Sequence, residues 1–191
     1  MKTAPIVLAS ASPRRRDLMR DMGLAFTIIT ADVDETLAPG TPPDAAVEML
    51  ARRKAEAVAP RAEGCRVVGS DTVVALDGRI LGKPRDEADA LSMLLSLSGK
   101  THTVYTGVAV AAYGRTVSGV AKTEVTFRPF DEEEARAYIA TGEPMDKAGA
   151  YGIQGLGGRL VSGIRGDMDT VIGLSCSLLS SLLAAAEDTE K

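Results

Sequence analysis

The first predicted turn of the chain carries hydroxyl and guanidinium groups at a spacing that suits phosphate oxygens. Ser10 and Ser12 lie in this turn, Pro13 stands where a helix would begin, and Arg14 and Arg15 follow directly. Proline is favoured at a first helical position because the N–H group there has no helical partner. The N–H groups and dipole of a helix start attract anions, and an arginine fork matches phosphate oxygens. The pattern predicts a phosphate-binding loop, with a solvated basic helix start as the alternative.

Two acidic residues follow predicted strands and are candidate metal ligands. Glu35 lies in an acidic loop over 31–42, and Asp71 ends a predicted strand that begins at Arg66. A carboxylate in such an apolar strand is costly unless it has partners. Because Mg²⁺ prefers one or two carboxylates completed by phosphate oxygens and waters, the pair predicts a divalent cation site, for Mg²⁺ or Mn²⁺, beside the phosphate loop. A solvated loop acid is the alternative for Glu35.

Three further polar residues are candidate substrate contacts. Lys54 lies on the helix predicted after the acidic loop and Lys83 follows a predicted hairpin, so each is either a ligand contact or a surface cation. Gln154 lies in a glycine-rich segment over 149–158, where the backbone can approach a ligand closely. Its amide offers one donor and one acceptor to the edge of a base. A flexible surface loop is the alternative for this segment.

Composition excludes several classes of function. The net charge is −4, from 22 basic and 26 acidic residues, and only 4% of residues are aromatic, which argues against nucleic-acid binding. A single histidine, His102, and two cysteines argue against a histidine metal cluster, a Ser-His-Asp triad or a disulfide framework. We expect His102 to be a strand or loop residue without a chemical task. No apolar run is long enough to cross a membrane, so we expect a cytoplasmic protein.

Interleaved strands and helices must position these groups. The predicted strands span residues 6–9, 26–30, 66–71, 73–76, 79–81, 101–112, 116–128, 159–164 and 168–172. The predicted helices span residues 13–22, 43–59, 86–98, 131–142 and 173–187, followed by a frayed tail over 187–191. Turn signals at Asp77-Gly78 and Tyr113-Gly114 predict hairpins. Because hairpins occur among the alternating elements, the sheet should be mixed rather than wholly parallel.

Taken together, the polar segments resemble the Maf family of nucleoside triphosphate pyrophosphatases. The matching runs are LASASPRR at 8–15, Asp34-Glu35, Lys54, GSDTV at 69–73, GKP at 82–84, LSGKTH at 97–102 and DKAGAYGIQG at 146–155. The resemblance implies one α/β domain over residues 1–191, with a twisted mixed sheet flanked by helices and two lobes around a deep cleft. It also implies a divalent metal, a nucleoside triphosphate substrate, a homodimer, a cytoplasmic location, and neither nucleic-acid nor membrane partners.

The run at 146–155 resembles the subgroup that hydrolyses dTTP and UTP to the monophosphate and pyrophosphate. In that subgroup the positions of Arg14, Thr72 and Gln154 set base preference, and the position of Asp71 accepts a proton. The resemblance also implies a role in removing non-canonical nucleotides and in arresting cell division. A pyrophosphatase for 7-methyl-GTP or another modified nucleotide stays an alternative, as does a non-catalytic nucleotide-binding regulator of septum formation. The acidic pair argues against the regulator, because triphosphate binding alone does not favour two added negative charges.

Overall fold

The computed structural model describes residues 4–187, which form an α/β fold. The strands are β1 (Ile6–Leu8), β2 (Phe26–Ile28), β3 (Arg66–Leu76), β4 (Arg79–Leu81), β5 (Thr101–Ala112), β6 (Arg115–Phe127) and β7 (Val161–Arg165). The α-helices are α1 (Pro13–Asp21), α2 (Pro43–Val58), α3 (Glu87–Leu97), α4 (Glu132–Ile139), α5 (Met168–Ile172) and α6 (Cys176–Glu187). Short 3-10 helices span Ala59–Arg61, Glu143–Asp146, Ala148–Ala150 and Leu156–Leu160.

The strands form one mixed sheet in the order β2-β1-β3-β5-β6-β7, with β4 paired to β3. Strand β1 runs parallel to both β2 and β3, so that Val7 lies opposite Thr27 on one side and Val67 on the other. Strand β4 is antiparallel to β3, and β7 is antiparallel to β6. The predicted α/β class and the mixed sheet flanked by helices are confirmed.

The chain divides into two compact units. Within the described residues, the first unit comprises 4–71, 106–121 and 173–187, and the second comprises 72–105 and 122–172. In the first unit, successive strand residues point to opposite faces. Leu8 and Val68 therefore join a core with α6, while Val7 and Val67 join a core with α2.

Helix α2 lies with its backbone directly on two strands of the first unit. A Cβ atom on Gly69 of β3 would overlap the Ala51 carbonyl oxygen and lie 2.8 Å from the Ala55 nitrogen. A Cβ on Gly107 of β5 would overlap the Val47 carbonyl oxygen in the same way. Because interiors are packed as densely as organic crystals, the helix can take this position only where the strands lack side chains.

An aromatic cluster that includes the sole histidine lies in the core of the second unit. The rings of His102 and Tyr151 each pack edge-on against Phe127, at centroid distances of 4.9 and 4.8 Å. The Nε2 atom of His102 is 2.8 Å from the Tyr151 hydroxyl oxygen, and its Nδ1 atom has no hydrogen-bond partner among the described residues. Burial lowers the pKa of His102 to about 4. The ring is therefore neutral near neutral pH and acts as a core residue.

Two predicted element ends and one predicted element type are wrong. Strand β3 does not end at Asp71 but continues to Leu76, because the Asp71 carboxylate has an ionic partner that the local sequence does not show. Residues 168–172 form helix α5 rather than a strand. The five residues Met-Asp-Thr-Val-Ile are too few for their pattern to distinguish a strand from a helix, so the surrounding structure decides. Helix α4 ends at Ile139, and the left-handed backbone of Gly142 (φ 76°) follows it.

The last helix, α6, begins at Cys176, three residues after its predicted start at 173, and the remaining predicted elements match within about two residues. The end of the predicted tail, 188–191, lies outside the described residues. None of the helices found between residues 4 and 187 is long and apolar enough to span a membrane.

We predict that Gly69→Ala destabilises the protein by about 2 kcal/mol, because the new methyl group must push α2 away from β3. Urea unfolding followed by circular dichroism measures the change. Gly163→Ala is the matched control, since a Cβ at this strand position meets its nearest atom only at 4.0 Å. An unfolding midpoint for Gly69→Ala equal to that of the control would contradict the tight contact.

We also predict that stability falls in acid because of His102. Its pKa is about 4 when folded, against an ordinary value of 6.5, so between these values the unfolded chain binds a proton that the folded chain does not. The free energy of unfolding should therefore fall as the pH is lowered, with His102 contributing about 2 kcal/mol between about pH 7 and pH 5. Urea unfolding of the wild type and of His102→Gln at both pH values isolates this contribution. Equal pH dependence in the two proteins would refute it.

Candidate functional site

One lysine lies between two carboxylates in the first unit. The Nζ atom of Lys54 is 2.5 Å from an oxygen of Asp71 and 2.7 Å from an oxygen of Glu35. The side chains of Lys54 and Asp71 are only 11% and 12% exposed, whereas that of Glu35 is 60% exposed. The Lys54–Asp71 pair is therefore shielded from water, and Glu35 brings a second negative charge to it from the solvent side.

The approach of α2 to β3 explains why this pair forms. Asp71 lies two residues beyond Gly69 and so points to the same face of β3, towards α2. Lys54 belongs to the buried stripe of α2, beside Ala51 and Ala55, which lie on Gly69. A lysine within an apolar stripe at helical spacing is a signal that the sequence does carry. The alternative that Lys54 is an ordinary surface cation is wrong.

Glu35 is presented by a loop that Arg53 fixes to α2. The Nη1 atom of Arg53 donates to the carbonyl oxygens of Asp34 and Thr36, at 3.0 and 3.1 Å. The Asp34 side chain also accepts the backbone N–H of Thr36 at 2.8 Å, which closes a local turn. These contacts hold the backbone on both sides of Glu35 while its carboxylate contacts Lys54. Sequence reasoning missed Arg53, because a half-buried arginine on a helix carries no local signal.

The predicted turn at the start of α1 is present. Ser12 caps the helix, its hydroxyl accepting the Arg15 N–H at 3.4 Å, and the Ser12 N–H donates to the Ser10 hydroxyl at 3.2 Å. The Arg15 guanidinium donates to the same Ser10 hydroxyl at 3.2 Å. Arg14 lies half-buried in the first helical turn. The turn therefore places two serines and two arginines together.

A backbone carbonyl in the first unit anchors both Arg15 and β3. The Gly173 oxygen accepts Arg15 Nε at 2.8 Å and the hydroxyl of the fully buried Ser70 at 3.1 Å. Ser70 precedes Asp71 and so points to the opposite face of β3. Sequence reasoning missed this anchor, since Gly173 is remote in sequence and acts through its backbone.

The charges of this cluster act on one another. Loss of hydration lowers the pKa of Arg15 below its ordinary value, and Arg14 acts in the same direction. The negative charges of Asp71 and Glu35 act in the opposite direction. The cationic turn and the acidic pair are thus near enough to influence each other. These five charged residues, Arg14, Arg15, Glu35, Lys54 and Asp71, are the candidate centre.

The other predicted site residues belong to the second unit. Thr72 is half-buried in β3, while Lys83 and Gln154 are both exposed. The backbone next to Lys83 is fixed, because the Gly82 carbonyl accepts the N–H of Gly149 at 3.0 Å. This bond joins the loop that carries Lys83 to the glycine-rich segment that carries Gln154.

The donor set of the candidate centre fits a divalent cation only in part. Among residues 4–187, no three histidine, cysteine, aspartate or glutamate side chains are placed to hold a metal. Glu35 and Asp71 supply two carboxylates, which suits Mg²⁺ or Mn²⁺ when phosphate oxygens and waters complete the shell. Without such a ligand, the Lys54 ammonium supplies the positive charge between them. The arrangement therefore suits a cation that binds together with a phosphorylated ligand.

A cavity of about 620 Å³ in the first unit is not this centre. Its lining includes Ile6, Leu24, Cys176 and Leu183, and none of the predicted site residues. The candidate centre is thus defined by its charged groups rather than by this cavity.

The fold and the centre define an α/β protein with cationic and acidic groups gathered at a strand–helix contact, a class suited to phosphorylated ligands. A family model described as Maf-like protein matches residues 5–186. The chain belongs to the Maf family, which confirms the resemblance drawn from its motifs.

Curated relatives cover nearly the whole chain. The dTTP/UTP pyrophosphatase of Moorella thermoacetica is 54% identical over 181 residues, covering 94% of this chain and 93% of the relative. The protein of the same name from Pelotomaculum thermopropionicum is 52% identical over 180 residues, covering 93% and 94%. That from a strain of Bacillus cereus is 51% identical over 174 residues, covering 91% of each chain.

We predict that Lys54→Met lowers the free energy of unfolding by about 3 kcal/mol, because it leaves the shielded Asp71 carboxylate without its partner. Urea unfolding tests this. Arg165→Met is the control: it breaks an exposed ion pair with Glu124 and should cost less than about 1 kcal/mol. Adding Asp71→Asn to Lys54→Met should restore part of the loss. If Lys54→Met costs no more than the control, the pair is not shielded as described.

Proposed function

We propose that this chain hydrolyses nucleoside triphosphates, dTTP and UTP foremost, to the monophosphate and pyrophosphate. The observation that carries the proposal is the Lys54 ammonium held between Asp71 and Glu35. The support from outside the structure is the relatives of 51–54% identity that bear the name dTTP/UTP pyrophosphatase. A homodimer, a cytoplasmic location, and roles in removing non-canonical nucleotides and arresting division belong to the same proposal through the family resemblance.

The cationic residues are proposed to bind the triphosphate. Arg14 and Arg15 offer fork-shaped donors that match phosphate oxygens, and Lys54 adds a point charge. Ser10 and Ser12 supply hydroxyl and backbone donors at the helix start. In water, hydration stabilises the negative charges of a triphosphate. Fixed donors that replace this hydration also stabilise the negative charge that develops on the phosphate oxygens in the transition state, which lowers the activation free energy. Lys83 is a further proposed triphosphate contact on the basis of the resemblance.

Glu35 and Asp71 are the residues that would hold Mg²⁺ or Mn²⁺. When bound, such an ion neutralises phosphate charge and lowers the pKa of a water molecule. The Glu35 carboxylate contacts Lys54 but is 60% exposed, so an ion that arrives with the nucleotide can reach it, and Arg53 keeps its backbone in place.

Asp71 is proposed to accept the proton of the attacking water. The water oxygen forms a bond to the α-phosphorus, the bond from that phosphorus to the bridging oxygen breaks, and pyrophosphate leaves with the electron pair. Lys54 orients the carboxylate of Asp71 through their shielded ion pair. Positioning of the reacting groups is the main source of rate enhancement in a reaction of this type. Gln154, with Thr72, is proposed to read the pyrimidine.

We predict that Asp71→Asn lowers turnover of UTP at least ~100-fold, because the amide cannot accept the proton. The assay is a panel of nucleotides with and without Mg²⁺, with products resolved by chromatography. UMP with pyrophosphate is the expected pair, formed only with the metal.

Glu56→Gln is the matched control, since this carboxylate pairs with Arg52 on the exposed side of the same helix and should leave turnover unchanged. Near-normal turnover in Asp71→Asn would remove Asp71 from its role. Products of UDP and phosphate, or no turnover of any nucleotide, would overturn the proposed reaction.

A further inference from the structure

The glycine-rich segment over 149–158 is bonded to two side chains of the second unit. The Tyr138 hydroxyl, at the end of α4, accepts the N–H of Gly152 at 3.0 Å and donates to the Glu143 carboxylate at 2.7 Å. That carboxylate accepts the N–H of Leu156 at 2.9 Å and the N–H of Gly157 at 3.1 Å. Three backbone N–H groups of one short segment therefore end on one linked pair of side chains.

The glycines of this segment make room for that pair. A Cβ on Gly155 would lie 2.6 Å from Oε1 of Glu143, which the hydrogen bonds keep from moving aside. A Cβ on Gly157 would lie 2.5 Å from the Tyr138 hydroxyl oxygen and 2.8 Å from the Gly152 carbonyl oxygen. The glycines thus serve internal packing, which argues against a flexible surface loop.

Gln154 lies in the middle of the bonded stretch. Its neighbours at 152, 156 and 157 are held by Tyr138 and Glu143, and the N–H of Gly155 donates to the Gly152 carbonyl at 3.3 Å. The side chain of Gln154 itself is exposed. A fixed backbone below an exposed amide is the arrangement needed to present that amide in one orientation.

The Glu143 carboxylate is ionised in this setting. Partial burial opposes its ionisation, but the hydrogen bonds from Leu156, Tyr138 and Gly157 outweigh burial and lower its pKa. Both carboxylate oxygens accept hydrogen bonds from N–H or O–H donors. An amide at this position presents an NH₂ group to one of those donors, so Gln cannot satisfy all three.

We propose that Tyr138 and Glu143 are positioning residues for base selection, holding the segment that presents Gln154. The inference rests on the proposed function, in which Gln154 reads the pyrimidine. Neither residue needs to touch the nucleotide. Loss of either one loosens the orientation of the Gln154 amide, and discrimination between bases falls because it depends on well-placed polar groups.

The test compares kcat/KM for UTP with kcat/KM for 7-methyl-GTP in Tyr138→Phe, Glu143→Gln and Gln154→Ala. Each variant should lower the UTP preference roughly tenfold, and the change should appear in KM for UTP more than in kcat. Tyr138→Phe in the Gln154→Ala background should lower the ratio no further, because the amide to be positioned is already absent.

Ser98→Ala is the structural control. It removes two hydrogen bonds to Phe130 in the same unit, the number that Tyr138→Phe removes, without touching the glycine-rich segment. It should leave the ratio unchanged at similar stability. Amide hydrogen exchange at Leu156 and Gly157 should quicken in Glu143→Gln and not in Ser98→Ala. If Tyr138→Phe does not fold, Glu143→Gln carries the test.

The outcomes separate the inference from the proposed function. A changed ratio in Gln154→Ala with unchanged ratios in Tyr138→Phe and Glu143→Gln overturns the positioning inference alone. An equal fall in Ser98→Ala also overturns it, since general loosening would then explain the change. An unchanged ratio in Gln154→Ala overturns base reading by Gln154 and the inference with it, and absence of UTP hydrolysis in the wild type overturns both.

Discussion

The direct contact between the backbone of α2 and the strands beneath it is the constraint on which the candidate centre depends. Gly69 and Gly107 remove the side chains that would hold the helix away. The helix can then bring Lys54 to Asp71 in a region with little water. Burying either charge alone would cost several kcal/mol, about 3–5 when a buried pair is broken. The contact therefore does two things at once: it forms the core of the first unit and lets an ionic pair exist within it.

Successive side chains of β3 point to opposite faces of the sheet, so neighbouring residues contact different partners. Gly69 and Asp71 face α2, so one admits the helix and the other pairs with its lysine. Ser70 faces the other way and shares the Gly173 carbonyl with Arg15. One strand thus connects the acidic pair on one face to the arginine turn on the other. The pleat of β3 therefore places Ser70 and Asp71 on opposite faces, whereas the loop bonded to Arg53 places Glu35.

The sequence predicted most of the fold because its local signals agreed with the final packing. Ser12 and Asp86 cap α1 and α3 at their predicted starts, and the predicted hairpin at Tyr113-Gly114 forms with positive φ at both residues. The failures lie where a distant partner decides. The continuation of β3 through Asp71 depends on Lys54, seventeen residues earlier in the chain. Arg53 and the Gly173 carbonyl act through backbone oxygens, for which residue type gives no signal. The charged residues of the candidate centre could therefore be predicted from the sequence, but Arg53 and the Gly173 carbonyl, which fix their positions, could not.

For the glycine-rich run too, residue type alone does not reveal the structural role. From sequence, the run at 149–158 predicts either a close backbone approach to a ligand or a flexible surface loop. The hydrogen bonds of Tyr138 and Glu143 favour packing, because a side chain at Gly155 or Gly157 would displace them. The glycines under α2 act by the same physical means, since in both places the missing Cβ lets a polar group reach a position it could not otherwise occupy. The glycines of β3 and β5 thus let α2 bring the Lys54 ammonium to the Asp71 carboxylate, and the glycines of 149–158 let the Glu143 carboxylate reach backbone N–H groups.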